Sequence, residues 1–461
     1  WANGVVAWAA TASSRVRPGG IFSELAIRCE ARGASVYSAQ RTRTGSGEAW
    51  TWPECHAFFI EMDMTADRRG IKIRSFFGVG PVLLAGLIML SACSKADPYV
   101  PPDPFYYFAS YPVGKNPTTV TTADFNRDQI TDLITTNISS NTISLLFGNG
   151  DGTFRDQVQV KVCQEPRSLA INDFNHDDQL DVVLACSGSD QVSILFGRGN
   201  GKFEDGPQYP VHRTPVSVSS EDVNGDGHPD LAVALRNDKV KIFLGSAGGT
   251  FRPGFQYEYG DTPTSVALKD LNQDGKPDLV VTNGGPMLSA VSVWIGNGDG
   301  TFRDPKDYKT GRRPLGVSFA DFNNDSLPDL LVINGEGDSF TTLLGNGDAT
   351  FQPGKDSGAD ASPNFGAAHD FDGDHIADVA IVNLQSTDLS ILFGRGDGTF
   401  HYPPRNYRTR NGPFAVASYR VSADNMEEPG LVTADNGAGS VSVFLHHGRK
   451  GQASAAGRAG E

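Results

Sequence analysis

The chain is short of the residues that carry most enzymatic and nucleic-acid chemistry. It has 5 cysteines, 9 histidines and 39 Lys plus Arg against 54 Asp plus Glu, for a net charge of −15. That balance argues against nucleic acid, which demands clustered positive charge. No GxSxG, HExxH or CxxC occurs, and no glycine-rich turn runs into the Lys-Ser/Thr of a phosphate loop. No apolar run reaches a comfortable membrane span; Phe76 to Leu90 gives 15 residues. Helical periodicity is missing from the whole region after residue 105.

What the chain has instead is repetition. The phrase Asp-x-(Asn/Asp)-x-Asp-x-x-x-Asp begins at Asp124, Asp173, Asp222, Asp270, Asp321 and Asp370, with starts 48 to 51 residues apart. An eroded seventh copy begins near Arg420. A fixed period of this size marks a repeat architecture. In each unit a Pro opens an alternating run, and the acidic phrase follows. A short β-branched run comes next, such as Leu279-Val280-Val281, then a polar turn and a second apolar run such as Ile143 to Phe147. A Gly-rich turn closing on an aromatic ends the unit, as at Phe154, Phe302 and Phe400. The 53 Gly and 27 Pro suit such a turn-dense chain. Short apolar runs bounded by Gly, Asn, Asp and Pro read as strands, four per repeat.

Four-stranded units of this length are β-propeller blades. The expected fold is therefore all-β, a propeller of seven four-stranded blades. Residues 105 to 117 resemble the end of a repeat without its beginning. They are expected to supply the outer strand of the seventh blade, beside Phe444-Leu445, and so latch the chain ends together. The repeats resemble the FG-GAP or VCBS family, the blades of integrin α-subunit heads and many bacterial surface proteins. The resemblance covers roughly residues 105–447 and speaks for fold more than for function.

Oxygen side chains at alternate positions of a curled loop converge on one point. Positions one, three, five and nine are Asp124, Asn126, Asp128 and Asp132 in the first loop, and Asp173, Asn175, Asp177 and Asp181 in the second. The third has Asp222, Asn224, Asp226 and Asp230; the fourth has Asp270, Asn272, Asp274 and Asp278. The fifth has Asp321, Asn323, Asp325 and Asp329; the sixth has Asp370, Asp372, Asp374 and Asp378. Donor sets of oxygen alone favour Ca²⁺ over Zn²⁺, and such cages suit Ca²⁺ better than Mg²⁺. About six structural calcium ions are expected, with a carbonyl from position seven as a further ligand. Metal-free Asx turns are the alternative. Gly227 and Gly275 fill position six in two loops, whereas Gln129, Asp178, Ser326 and His375 stand there elsewhere, so those four are expected to bind more loosely. Arg420 and Ser422 replace the first two ligands of the seventh copy, where Asp424 remains and no ion is expected.

The front end is different. The chain starts at Trp1, and residues 1–61 show no repeat or periodicity. They read as non-native upstream sequence or a disordered extension, without a fold. Residues 62–93 read as an export signal: Arg68, Arg69, Lys72 and Arg74, the apolar stretch, then Leu90-Ser91-Ala92-Cys93. That ending resembles a bacterial lipobox with Cys93 as the lipidated residue; an ordinary signal peptide with a chance Cys, or an uncleaved anchor, is the alternative. The resemblance implies anchoring to a bacterial membrane, the outer one in a Gram-negative cell because Ser94 follows. Residues 94–104 read as a Pro-stiffened linker and 448–461 as a disordered tail. Cys163 and Cys186 fall at one end of the second repeat's hairpin, where a disulfide can close; two free thiols are the alternative.

Acidic loops and Gly-rich turns share one face of a propeller. The opposite face carries loops that vary along the chain, from Asn137, Cys186, Asn283 and Asn334, and suits recognition. Arg236, Met287 and Phe340 are the candidate ligand-binding residues there; packing of the Met or Phe between blades is the alternative. The functional expectation is a monomeric, calcium-stabilised binding or adhesion module for a carbohydrate or surface protein. A polysaccharide lyase or hydrolase and an envelope assembly scaffold are the alternatives. No catalytic residue is assigned: Asp370 and Asp374, each beside a histidine, already belong to the repeat. Arg395-Gly396-Asp397 lies in a repeated turn and reads as chance.

Overall fold

The structure is a computed structural model. It describes residues 103–423 and 426–447, and the backbone of six strands nearer the N-terminus. The chain divides into two units, Trp1–Pro98 and Tyr99–Glu461. The first contains three two-stranded antiparallel hairpins: Ala9–Val16 with Phe22–Glu30, Gln40–Thr44 with Gly47–Thr51, and Met64–Asp67 with Gly70–Ile73. Two of them lie where no fold is expected, and the third lies in the expected export signal. A two-stranded hairpin alone is marginal in water. The apolar stretch, Cys93, most of the linker and the tail fall outside the described residues.

In the second unit the described residues form seven four-stranded antiparallel sheets. Blade 1 runs Pro117–Ala123, Asp132–Asn137, Thr142–Leu146 and Val158–Lys161. Blades 2 to 6 repeat that order from Pro166, Pro215, Pro263, Pro314 and Pro363. A proline lacks an N–H for the ladder, so it is placed first in the strand, and the register slips within two residues of it in every blade. The second strands are buried throughout in blades 1 to 6, as in DLITTN, DVVLAC and DLLVIN. They are sandwiched between neighbouring blades, which accounts for runs of β-branched and apolar residues without alternation. The outer strands are mostly exposed.

Blade 7 is assembled from both ends of the chain. Pro413–Ala423, Met426–Asp435 and Ser440–His446 are joined by Phe105–Pro112, which pairs from Ser440↔Pro112 to His446↔Phe105. This is the expected latch. Asn116 donates to the Asn436 carbonyl at 3.2 Å and Asn436 donates to that of Pro117 at 3.0 Å, which ties blade 7 to blade 1. Seven apolar clusters fill the seven blade-to-blade seams. Each fully buried Leu, Val or Ile there is worth about 1.5–3 kcal/mol over exposure.

A tyrosine on the outer strand locks several seams. The Phe154 N–H donates to Tyr111 Oη at 3.1 Å, Phe251 to Tyr209 at 2.8 Å, Phe302 to Tyr257 at 2.9 Å and Phe351 to Tyr308 at 3.0 Å. The rings of each pair also meet edge to face. In blade 2 Cys163 and Cys186 are bonded, with Cα atoms 5.8 Å apart and 23 residues of separation. A bridge closing a loop of that size contributes about 3 kcal/mol.

Deleting Phe105–Pro112 would leave Ser440–His446 as a bare edge. The expected outcome is a shift from the native elution position to aggregate in size-exclusion chromatography. Unchanged elution and yield would show that the ring does not need the latch.

Candidate metal centre

Each acidic loop folds by wrapping its backbone around its own carboxylates. In the first loop both Asp124 oxygens accept backbone N–H groups, from Asp128 at 3.2 Å and Gln129 at 2.8 Å. Asn126 Oδ1 accepts from Asp128 N at 3.0 Å, and Asp128 Oδ1 from Ile130 N at 2.9 Å. The sixth loop repeats the pattern. Asp370 accepts from Gly373 at 2.7 Å and His375 at 2.9 Å, Asp372 from Asp374 at 3.2 Å, and Asp374 from Ile376 at 2.8 Å.

Positions four and six are left-handed in all six loops. Glycine serves at Gly225, Gly227, Gly275 and Gly373, whereas Arg127, Gln129, His176, Asp178, Gln273, Asn324, Ser326 and His375 take φ of 59° to 67°. Position six without glycine therefore keeps the same backbone as position six with it. The bonds from position one's carboxylate hold these residues in a conformation that costs roughly 1–2 kcal/mol each. The left-handed fourth position went unread in the sequence, although Gly225, Gly373 and Asn324 signalled it.

Position nine has a distinct place. Asp132, Asp181, Asp230, Asp278, Asp329 and Asp378 are fully buried beneath their loops. One oxygen of each accepts the N–H of position two, from 3.1 Å at Leu271 to 2.7 Å at Phe371. The other accepts the N–H of a glycine ending the third strand: Gly148, Gly197, Gly245, Gly296, Gly345 or Gly394, at 2.6–2.9 Å. Those glycines are obligatory. A Cβ on Gly197 would lie 2.1 Å from the Leu180 carbonyl oxygen, and one on Gly345 2.6 Å from that of Pro328.

The donor set fits a hard divalent cation. Carboxylate oxygens of Asp370, Asp372 and Asp374 lie within 4.8 Å of one another. Oxygens around one calcium ion at 2.3–2.6 Å are separated by up to about 5 Å. The charge beneath the loop is also uncompensated. Burial raises the carboxyls of Asp132, Asp181, Asp230, Asp278 and Asp329 to about 6, against the lowering pull of their two N–H bonds, and loop carboxylates push further. For Asp378 burial, with Asp372 and Asp374 adding to it, carries the carboxyl to about 8. A bound cation would supply the missing positive charge.

Blade 7 replaces this arrangement. Beyond the slip at Pro413, its first two strands pair without a break to Ala423↔Met426. Gly430 stands where the buried aspartate falls in register elsewhere, opposite Tyr419 as Asp132 is opposite Ala123. The Tyr419 ring fills the space, 2.4 Å from where a Gly430 Cβ would sit, and its hydroxyl donates to the Gly152 carbonyl at 3.2 Å. Asp424 lies outside the described residues. At the far end of the same strand Asp435 is buried and accepts from Ser442 at 2.5 Å and Thr433 at 2.9 Å. The sequence did not disclose that site.

Of the three recognition candidates, Arg236 and Met287 are exposed, Met287 to 88%. Phe340 is a correction. It sits in the strand Ser339–Leu343 opposite Ile333, fully buried, with its ring 5.2 Å from Phe400 in the seam between blades 5 and 6.

Raised carboxyls set the pH behaviour without a cation. The stability they lend is complete below the ordinary value of 3.8 and is lost as pH rises through about 6, or about 8 for Asp378. In EDTA the melting temperature should therefore fall between pH 5 and pH 7.5. Millimolar calcium should oppose that fall, each loop gaining about 2.7 kcal/mol at a hundredfold excess over its Kd. A melt at pH 7.5 indifferent to EDTA would remove the ions from the account.

Known proteins agree with this architecture. The model of the FG-GAP-like repeat matches residues 124–184, 173–233, 222–281, 270–332 and 321–381. No curated protein matches the chain. Among solved structures, BBS1N in a complex with ARL6DN is similar with a TM-score of 0.54 at 10% identity, over 74% of this chain and 96% of that one. A functionally unknown protein from Desulfotomaculum acetoxidans is similar with a TM-score of 0.50 at 11% identity, over 67% and 90%. At such identities the likeness is one of fold. With five overlapping repeats matched across more than half its length, the chain belongs to the family of FG-GAP-like repeat proteins.

Proposed function

We propose that this chain is an exported, non-catalytic binding module whose acidic loops hold structural calcium and whose opposite face recognises an acidic carbohydrate. The observation that carries the reading is a pair of arginines on that face. Arg167, second in the inner strand of blade 2, is half-buried, and its guanidinium is pushed below its ordinary value, first by burial and then by neighbouring Arg236. Glu165 offsets this in part. Arg167 Nε donates to Ser187 Oγ at 3.1 Å, which fixes its orientation.

Two neighbouring guanidiniums that repel one another, in a chain of net charge −15, suit an acid group that would neutralise both and accept their hydrogen bonds. Met287 adds an apolar contact on the same face. Its backbone N–H and that of Leu288 are held by the buried Asp261 carboxylate, so the loop is preorganised. The Cys163–Cys186 bond agrees with an oxidising compartment, and Cys93 would provide the lipid anchor.

The test of recognition is a glycan array probed with the full chain in millimolar calcium. Binding to glycans bearing carboxylate or sulfate is expected, with Arg236→Ala costing about 2 kcal/mol, roughly thirtyfold. Hits indifferent to that substitution would move recognition off this face. A blank array with folded protein would favour a protein partner. For the anchor, Cys93→Ala should shift the protein from the membrane fraction to the soluble one; continued retention would refute lipidation.

A further inference from the structure

Two histidines on the acidic-loop face are not called for by the repeat. His176 is fourth in the second loop and His228 is seventh in the third. Other loops place Arg127, Gly225, Gln273, Asn324 or Gly373 at the fourth position and Ile130, Gln179, Lys276, Leu327 or Ile376 at the seventh. The ring brings the pair together across 52 residues. His176 Nε2 lies 2.8 Å from His228 Nδ1, and the ring centroids are 4.8 Å apart.

Both side chains stand on backbone that the loops hold in place. His176 occupies a left-handed position with φ 59°, and the His228 N–H donates to Asp226 Oδ1 at 2.9 Å. The pair is open to solvent. Without a metal, the two nitrogens share one N–H···N hydrogen bond. A metal that binds imidazole nitrogen at 2.0–2.1 Å holds two adjacent nitrogens about 3 Å apart. The two nitrogens are therefore close to the separation a metal needs, and binding requires the rings to turn their lone pairs from each other onto the ion as the shared proton leaves.

Imidazole selects Zn²⁺, Ni²⁺ and Cu²⁺, whereas the neighbouring oxygen cages select hard cations. We propose that His176 and His228 form a transition-metal site of the zinc class, bridging the second and third loops and chemically separate from them. The remaining coordination positions face solvent and take water or an acidic or imidazole group of an incoming partner. The site does not rest on the recognition proposed for the opposite face, and saturating calcium in the test keeps the loops that carry both histidines in their folded form.

The test is calorimetric titration of the full chain with Zn²⁺ in millimolar calcium, which keeps zinc off the carboxylates. One zinc equivalent is expected. His176→Gln and His228→Gln should each weaken it by at least about tenfold, since even supporting residues of a metal site cost that much. His212→Gln, an exposed histidine elsewhere on the ring, should leave it unchanged. Electron paramagnetic resonance with Cu²⁺ should report two imidazole nitrogens in the wild type and fewer in either loop variant. Zinc binding that persists unchanged in both loop variants, or folded wild type that takes up no zinc, would overturn the proposal.

Discussion

The buried aspartate at the ninth position of each acidic loop is the constraint on which a blade depends. Its two oxygens hold the start of the loop and the end of the third strand, so one side chain sets how the first, second and third strands meet. The glycine that donates to it must be glycine, because the chain passes so close to the neighbouring carbonyl. The loop, the strand and the Gly-rich turn form one unit joined through a carboxylate. That carboxylate is buried at a cost, since two N–H bonds do not return it to an ordinary acidity. The acidic loop above it therefore serves the fold as well as any ion.

Blade 7 shows what happens when the unit is dispensed with. Glycine replaces the aspartate, a tyrosine ring fills the gap, and an extended hairpin replaces the acidic loop. This blade also receives the N-terminal strand. Six blades are held by a polar clamp under a loop, and the seventh by an aromatic plug and the joining of the chain ends. The ring closes at the blade that lacks the clamp, with Asn116 and Asn436 stitching it to blade 1.

The two faces follow from the repeat. The loop phrase and the Gly-rich turn recur because the clamp requires both, so their face is uniform, acidic and suited to cations. The other face has no such requirement, and its loops carry Arg236 and Met287 on a backbone fixed by buried partners such as Asp261. Departures from uniformity on the acidic face are correspondingly informative, and the His176 and His228 pair is one of them.

The period, the acidic phrase and the latch were legible in the chain because each is local or repeated. Strand, loop and turn follow one another within about 50 residues, and six copies report the same pattern. Phe340 was misread because a residue at the edge of a turn is exposed or buried according to strand register, and here the register turns it into a seam. The ninth aspartate was recognised as an oxygen donor, but its grip on Gly148 and its counterparts appears only once the third strand is paired. The tyrosine locks, Tyr419 over Gly430, the arginine pair and the two histidines all join positions that the ring makes adjacent. The sequence by itself determined the repeat, the strand order and the chemistry of each loop, because backbone bonding and side-chain alternation act over a few residues. Only the tertiary structure decided which loops touch and which groups share a seam, because those contacts exist between blades and arise when the ring closes.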